Sequence, residues 1–234
     1  MTDLTTETVV DEALPEATAR LVRTTDALPD AAYAEPSDLP GWTRGHVLAH
    51  LALNAEGLAG ALGGVVEGEQ VPMYASDEAR DADIAELAAT SPGELRSRLL
   101  AACTHLRDAI AAVPPDRRDG TVERTPGGRT FPVEAVPWMR LKEVEIHHAD
   151  LAAGYDRGRW SVPFARHLMD SMRIPGETGP GFTAQATDVD GSWTYGEGGP
   201  TVSGPLVDLA WWLTGRGAGE GLTCDGEMPR IGGI

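Results

Sequence analysis

Apolar residues recur at helical spacing through most of the first 155 positions, the arrangement that lines them up on one face of a helix. Val10, Leu14, Ala17, Leu21 and Ala27 predict a first helix over residues 10–28, with Pro15 near its front, where an early turn tolerates proline. The segment DLPGWT then reads as a turn. Thr43 is placed to cap a second helix whose apolar stripe is Val47, Leu51, Leu58 and Leu62, and Gly63-Gly64 is expected to weaken its end. Ser76 followed by Asp77 and Glu78 opens a short helix to about Ala89. Ser91-Pro92-Gly93-Glu94 is a capping box with proline at the first helical position, and predicts a helix to Ala112 that Pro114-Pro115 stops. Residues 122–133 turn at Pro126-Gly127-Gly128 as a small hairpin or structured loop, and a last long helix is expected from Pro137 to about Ala153.

The pattern changes after Tyr155. Glycine and proline become frequent, FTAQATDVD and SWTYGEG flank a glycine turn as hairpin strands do, and helical spacing survives only in residues 164–172 and 205–214. The expectation is an α+β protein: a helical bundle over residues 1–155 and a smaller α+β domain with an antiparallel sheet over residues 156–234.

Charge and composition narrow the function classes. With 36 acidic against 19 basic residues the net charge is −17 and no basic block interrupts it, which removes the phosphate-neutralising term of nucleic-acid binding. No run reaches the roughly 18 apolar residues a membrane span needs. The acidic start MTDLTTETVVDEALPEA lacks the basic and apolar regions of a secretory signal, so a cytoplasmic protein is expected. Cys103 and Cys224 form neither a disulfide framework nor a Cys-x-x-Cys motif and read as spectator thiols. A small anionic substrate would be repelled at long range and would need a local arginine pocket.

Four of the six histidines, His46, His50, His147 and His148, fall on two predicted helices, while His105 and His167 stand apart as structural or surface residues. Glu143 and His147 are four residues apart, one turn on one face, and can share a metal or form an ion pair. His46 and His50 repeat that spacing, and either one brought across the bundle would supply a third ligand. Two imidazoles and one carboxylate leave an open position on a divalent metal; they suit zinc first, and also nickel, iron or manganese.

Four stretches carry a likeness to a known family: GWTRGHVLAHLALNAEGL at 41–58, PMYASDEARDADI at 72–84, GRTFPVEAVPWMRLKEVEIHHADL at 128–151 and GRGAGEGL at 215–222. In them the chain resembles the mycothiol-dependent maleylpyruvate isomerases of the DinB-like metalloenzyme superfamily. The resemblance implies a DinB-like four-helix bundle followed by a small α+β domain, with metal ligands at His50, Glu143 and His147 and none at His46 or His148. It further implies cis-trans isomerisation of maleylpyruvate to fumarylpyruvate through a metal-bound thiolate of mycothiol, which adds to the substrate double bond, permits rotation and leaves. A dicarboxylate substrate that builds enolate charge wants guanidinium partners. Arg216, in the GRG stretch, and Arg80, in the PMYASDEAR stretch, both resemble arginines of the family and are expected to be catalytic and substrate-binding, Arg216 the more catalytic and Arg80 chiefly holding the substrate anion. A mycothiol S-transferase acting on another electrophile is an alternative, as is a non-catalytic metal-binding bundle closed by a fourth ligand such as His46 or Glu145. Trp42, Met73, Tyr74 and Trp138 line a thiol groove or belong to the core. Asp150 is either a partner for an imidazole N–H or a solvated helix-end carboxylate.

Overall fold

A computed structural model of the chain describes residues 6–172 and 181–232, so the first five residues of the acidic N-terminus lie outside it. The chain divides into two compact units, one of Val10–Tyr155 and one of the residues from Asp156 onward together with residues 6–9.

The first unit is built around α2 (Arg44–Glu67), with α1 (Thr6–Ala27), α3 (Asp77–Ala88), α4 (Pro92–Ala112) and α5 (Val136–Asp150). α2 packs against α3, α4 and α5. Val47, Leu48, Leu51, Leu58 and Leu62 are essentially inaccessible, each leucine contributing about 1.5–3 kcal/mol of transfer free energy. Ala49, Ala52, Ala55 and Ala59 are buried too, so apolar contact surrounds much of the helix rather than one stripe.

Capping explains where these helices begin. Thr43 caps α2 with a box completed by His46, Ser76 caps α3, and Ser91 caps α4 with Pro92 in the first turn. Two boundaries differ from the sequence reading. α1 starts at Thr6, so Pro15 lies inside the helix and forgoes one backbone bond there. α2 runs through Gly63-Gly64 and stops at Gly68, whose φ of 80° lets its N–H reach back to the carbonyls of Gly64 and Val65.

α5 also ends earlier than Ala153. Ala152 adopts φ 51°, and Arg44 donates to the last carbonyls, Nε to Leu151 O at 2.7 Å and Nη2 to Ala152 O at 2.9 Å. A cation against exposed C-terminal carbonyls suits the helix dipole, so Arg44 fixes the end of α5 against the start of α2.

Two short strands, β1 (Thr121–Glu123) and β2 (Thr130–Pro132), form the expected hairpin, paired antiparallel with Val122 opposite Phe131. The backbone of the segment before α3 joins β1: Met73 N–H donates to Glu123 O at 2.9 Å and Tyr74 N–H to Arg124 O at 3.0 Å. This segment lies on α2 at Gly57, where a Cβ would come within 2.9 Å of Met73 O, so only glycine admits the approach.

The second unit holds α6 (Val162–Ser171), α7 (Leu206–Leu213) and four strands: β3 (Phe182–Ala186), β4 (Ser192–Tyr195), β5 (Thr201–Gly204) and β6 (Thr223–Cys224). The sheet order is β4-β3-β5-β6. The β3–β4 hairpin and the β5–β6 pair are antiparallel as expected, while β3 and β5 run parallel, so the sheet is mixed. Phe182, Ala184 and Ala186 alternate into the core, and Trp193 Nε1 donates to Asp170 of α6 at 2.7 Å, fixing the hairpin to that helix. Among the described residues, no helix is long and apolar enough to cross a membrane.

Candidate metal centre

α2 and α5 face each other so that His50 and the Glu143/His147 pair meet. Glu143 Oε2 lies 2.8 Å from His50 Nε2 and 3.4 Å from His147 Nε2. One ligand atom from each residue falls within 4.8 Å of the others, and this is the one such group of metal-capable side chains among the described residues. Donors around a tetrahedral ion with bonds of about 2.0–2.1 Å sit about 3.3 Å apart. The two Glu143 separations bracket that spacing, so the donor set suits a divalent ion.

The second nitrogen of each imidazole is held differently. His147 Nδ1 is 2.8 Å from Asp150 Oδ2, an acceptor that places the proton on Nδ1 and turns Nε2 toward Glu143. His50 Nδ1 is 3.3 Å from Arg80 Nη2. Arginine only donates, so Nδ1 accepts and the proton of neutral His50 sits on Nε2, facing Glu143.

Burial sets the electrostatics first and hydrogen bonding second. Burial pushes the His50 imidazole down to about 4, against the opposing effect of the hydrogen bond that His50 donates to Glu143. Burial alone would raise the Glu143 carboxyl, but hydrogen bonds from His147 and His50 hold it well below the usual range. For His147 burial is again opposed, here successfully: Asp150 and Glu143 raise its pKa above the ordinary value. The result is an ionised carboxylate between two imidazoles, with a side-chain exposure of 27% for Glu143 against 6% for His50. The cluster is thus open on its carboxylate side.

Other candidates have separate work. His46 Nδ1 completes the cap of α2 with Thr43 and is not part of the cluster. His148 stacks on Tyr155 with ring centres 3.9 Å apart and bonds Thr24. Glu145 bonds Arg20 at 2.7 Å and also Tyr155. Neither His46 nor Glu145 is therefore placed as a fourth ligand.

Arg80 stands beside the cluster, its guanidinium 5.9 Å from the Tyr74 ring centre and bonded to Asp81. Arg80, Met73 and Tyr74 line a groove of about 320 Å³ with Glu56, Asp83 and Arg98. Trp42 packs edge-on against His50, ring centres 5.8 Å apart, and Trp138 is half-buried on α5, outside the groove lining. Arg216 lies in the second unit, in the turn after α7, where Nη1 donates to Thr214 O at 3.0 Å and the guanidinium covers Trp211 at 5.8 Å. Asp150 is the functional candidate the sequence left undecided; its signal was the three-residue spacing from His147.

The family model for the mycothiol maleylpyruvate isomerase N-terminal domain matches residues 14–152. Two solved structures are similar over the whole chain, each 30% identical and covering 99% of this chain and 98% of the other. One is of the mycothiol-dependent maleylpyruvate isomerase, with a TM-score of 0.88, and one is of a histidine-to-alanine mutant of it, with a TM-score of 0.87. No curated protein matches the chain. With the family model covering more than half of the sequence and the likeness to the solved structures running end to end, this chain belongs to the mycothiol maleylpyruvate isomerase family.

Proposed function

We propose that this protein isomerises maleylpyruvate to fumarylpyruvate with mycothiol as cosubstrate, at a divalent metal, zinc first, held by His50, Glu143 and His147. The observation that carries the reading is the convergence of two imidazoles and a carboxylate beside the Arg80 guanidinium, in a chain of this family. The ion would supply a fixed positive charge next to which a thiol is deprotonated at neutral pH.

The chain's own residues do the rest. Asp150 holds the Nδ1 proton of His147 and keeps Nε2 available. The groove at Met73, Tyr74 and Arg98 receives the polar body of the thiol cosubstrate. Arg80 binds a substrate carboxylate, the local positive charge that a protein of net charge −17 needs to hold a dianion. Sulfur adds to the double bond and the electron pair moves into the conjugated ketone as an enolate. The new single bond rotates, and expulsion of the thiolate restores the double bond in the trans form. Arg216 is assigned the developing enolate charge as the catalytic arginine, on the likeness of residues 215–222 to the family. Its two cysteines, both unpaired, suit the reducing cytoplasm as the place of this chemistry.

The test is incubation of the metal-loaded protein with maleylpyruvate, with and without mycothiol, followed by ultraviolet absorbance. Conversion to fumarylpyruvate that requires the thiol sustains the reading. No conversion with metal and thiol both present overturns it, and makes transfer of mycothiol to another electrophile the reaction to assay.

A further inference from the structure

A second cavity lies away from the metal cluster, between α1 and α4, with the start of α5 at its base. It has a volume of about 640 Å³, in the range of small-molecule sites, and its wall is mainly apolar, including Leu14, Val22, Leu100 and Ile110. Leu100 is 53% exposed, unusual for a leucine in a helix that otherwise buries its apolar face.

The charge of the lining runs against that of the protein. Its charged side chains are Arg23, Arg107 and Arg140, and no aspartate or glutamate lines it, although the chain carries 36 acidic residues against 19 basic ones. Arg107 is paired with its neighbour Asp108 and Arg23 is exposed at the rim. Arg140 is different. It is 2% exposed, and its partners are all neutral: Nη1 donates to Leu51 O and Asn54 Oδ1, both at 2.8 Å, and Nη2 to Cys103 Sγ at 3.4 Å. Among the described residues no carboxylate lies within ion-pair distance of it. A buried cation with no counterion is costly. A carboxylate gripping the guanidinium with parallel bonds would supply the counterion that these neutral partners do not.

We propose that this cavity is a second ligand site, distinct from the metal cluster, for a carboxylate with an apolar tail. The tail lies along Leu14, Val22, Leu100 and Ile110, and the carboxylate pairs with Arg140 beside Cys103. The site needs neither the metal nor the thiol.

The probe is decanoate, titrated calorimetrically into the full-length protein, with decanol as the uncharged control. Saturable binding of decanoate is expected, at least about tenfold tighter than decanol. Arg140→Met should weaken it about tenfold or more if the variant folds, as judged by circular dichroism. Leu100→Glu, on an exposed position, places a like charge beside the tail and should weaken binding while leaving isomerisation of maleylpyruvate unchanged. No saturable binding, equal binding of decanol, or decanoate binding untouched by Leu100→Glu would overturn the site. So would a self-association of the wild type that Leu100→Glu abolishes while decanoate fails to bind, since a second copy would then be the occupant.

Discussion

Asp150 Oδ2 lies 2.8 Å from His147 Nδ1, with its own side chain only 1% exposed. A buried carboxylate in that place does two things: it selects the His147 tautomer and it makes Nε2 more basic. Asp150→Asn keeps the shape and removes the charge, and should lower divalent-metal affinity by about tenfold or more. Chelator competition measures this directly. Retention equal to wild type would show that Asp150 serves only the end of α5.

A metal at this cluster would compete with Arg80 for the same histidine. The contact of Arg80 Nη2 with His50 Nδ1 keeps the His50 proton on Nε2, the atom that faces Glu143. Coordination through Nε2 requires that proton on Nδ1, where Arg80 has nothing to accept it. Arg80→Met should therefore bind metal at least as tightly as wild type, while KM for the dicarboxylate rises by about tenfold or more, the loss of a charge-assisted pair. Metal affinity that falls together with activity would place Arg80 among the supports of the metal instead.

The approach of Met73 to Gly57 positions Tyr74 and the groove. Gly57→Val would drive a side chain into Met73 O, already 2.9 Å from where a Cβ would sit. The expected outcome is a loss of about 1–3 kcal/mol in denaturant unfolding with a raised KM and an unchanged metal content, since His50, Glu143 and His147 are carried by α2 and α5 rather than by that segment. A metal-free variant protein would contradict the assignment.

How much of this was legible in the sequence varied with the physics involved. Thr43, Ser76 and Ser91 announced helix starts because caps act locally, through side chains within three residues. Helix ends were less legible: α5 stops where Arg44, more than a hundred residues away in sequence, meets its last carbonyls. The Glu143/His147 pair could be read from one helical turn, whereas choosing His50 over His46 needed the family likeness. The structure supplies the physical reason, since His46 is consumed by the cap of its own helix. The parallel pairing of β3 with β5 escaped because strand order is set by packing between segments, and short alternating runs carry no record of it. Nothing in the sequence around Arg140 marks it, and only its burial without a counterion singles it out.

Metal content tests the His50, Glu143 and His147 site most directly. Wild-type protein and His50→Ala, both dialysed against trace zinc, should be compared by elemental analysis with folding verified. One tightly held divalent ion per wild-type chain and substoichiometric metal in the variant are expected. Equal stoichiometry in the two proteins would contradict a site built from His50, Glu143 and His147.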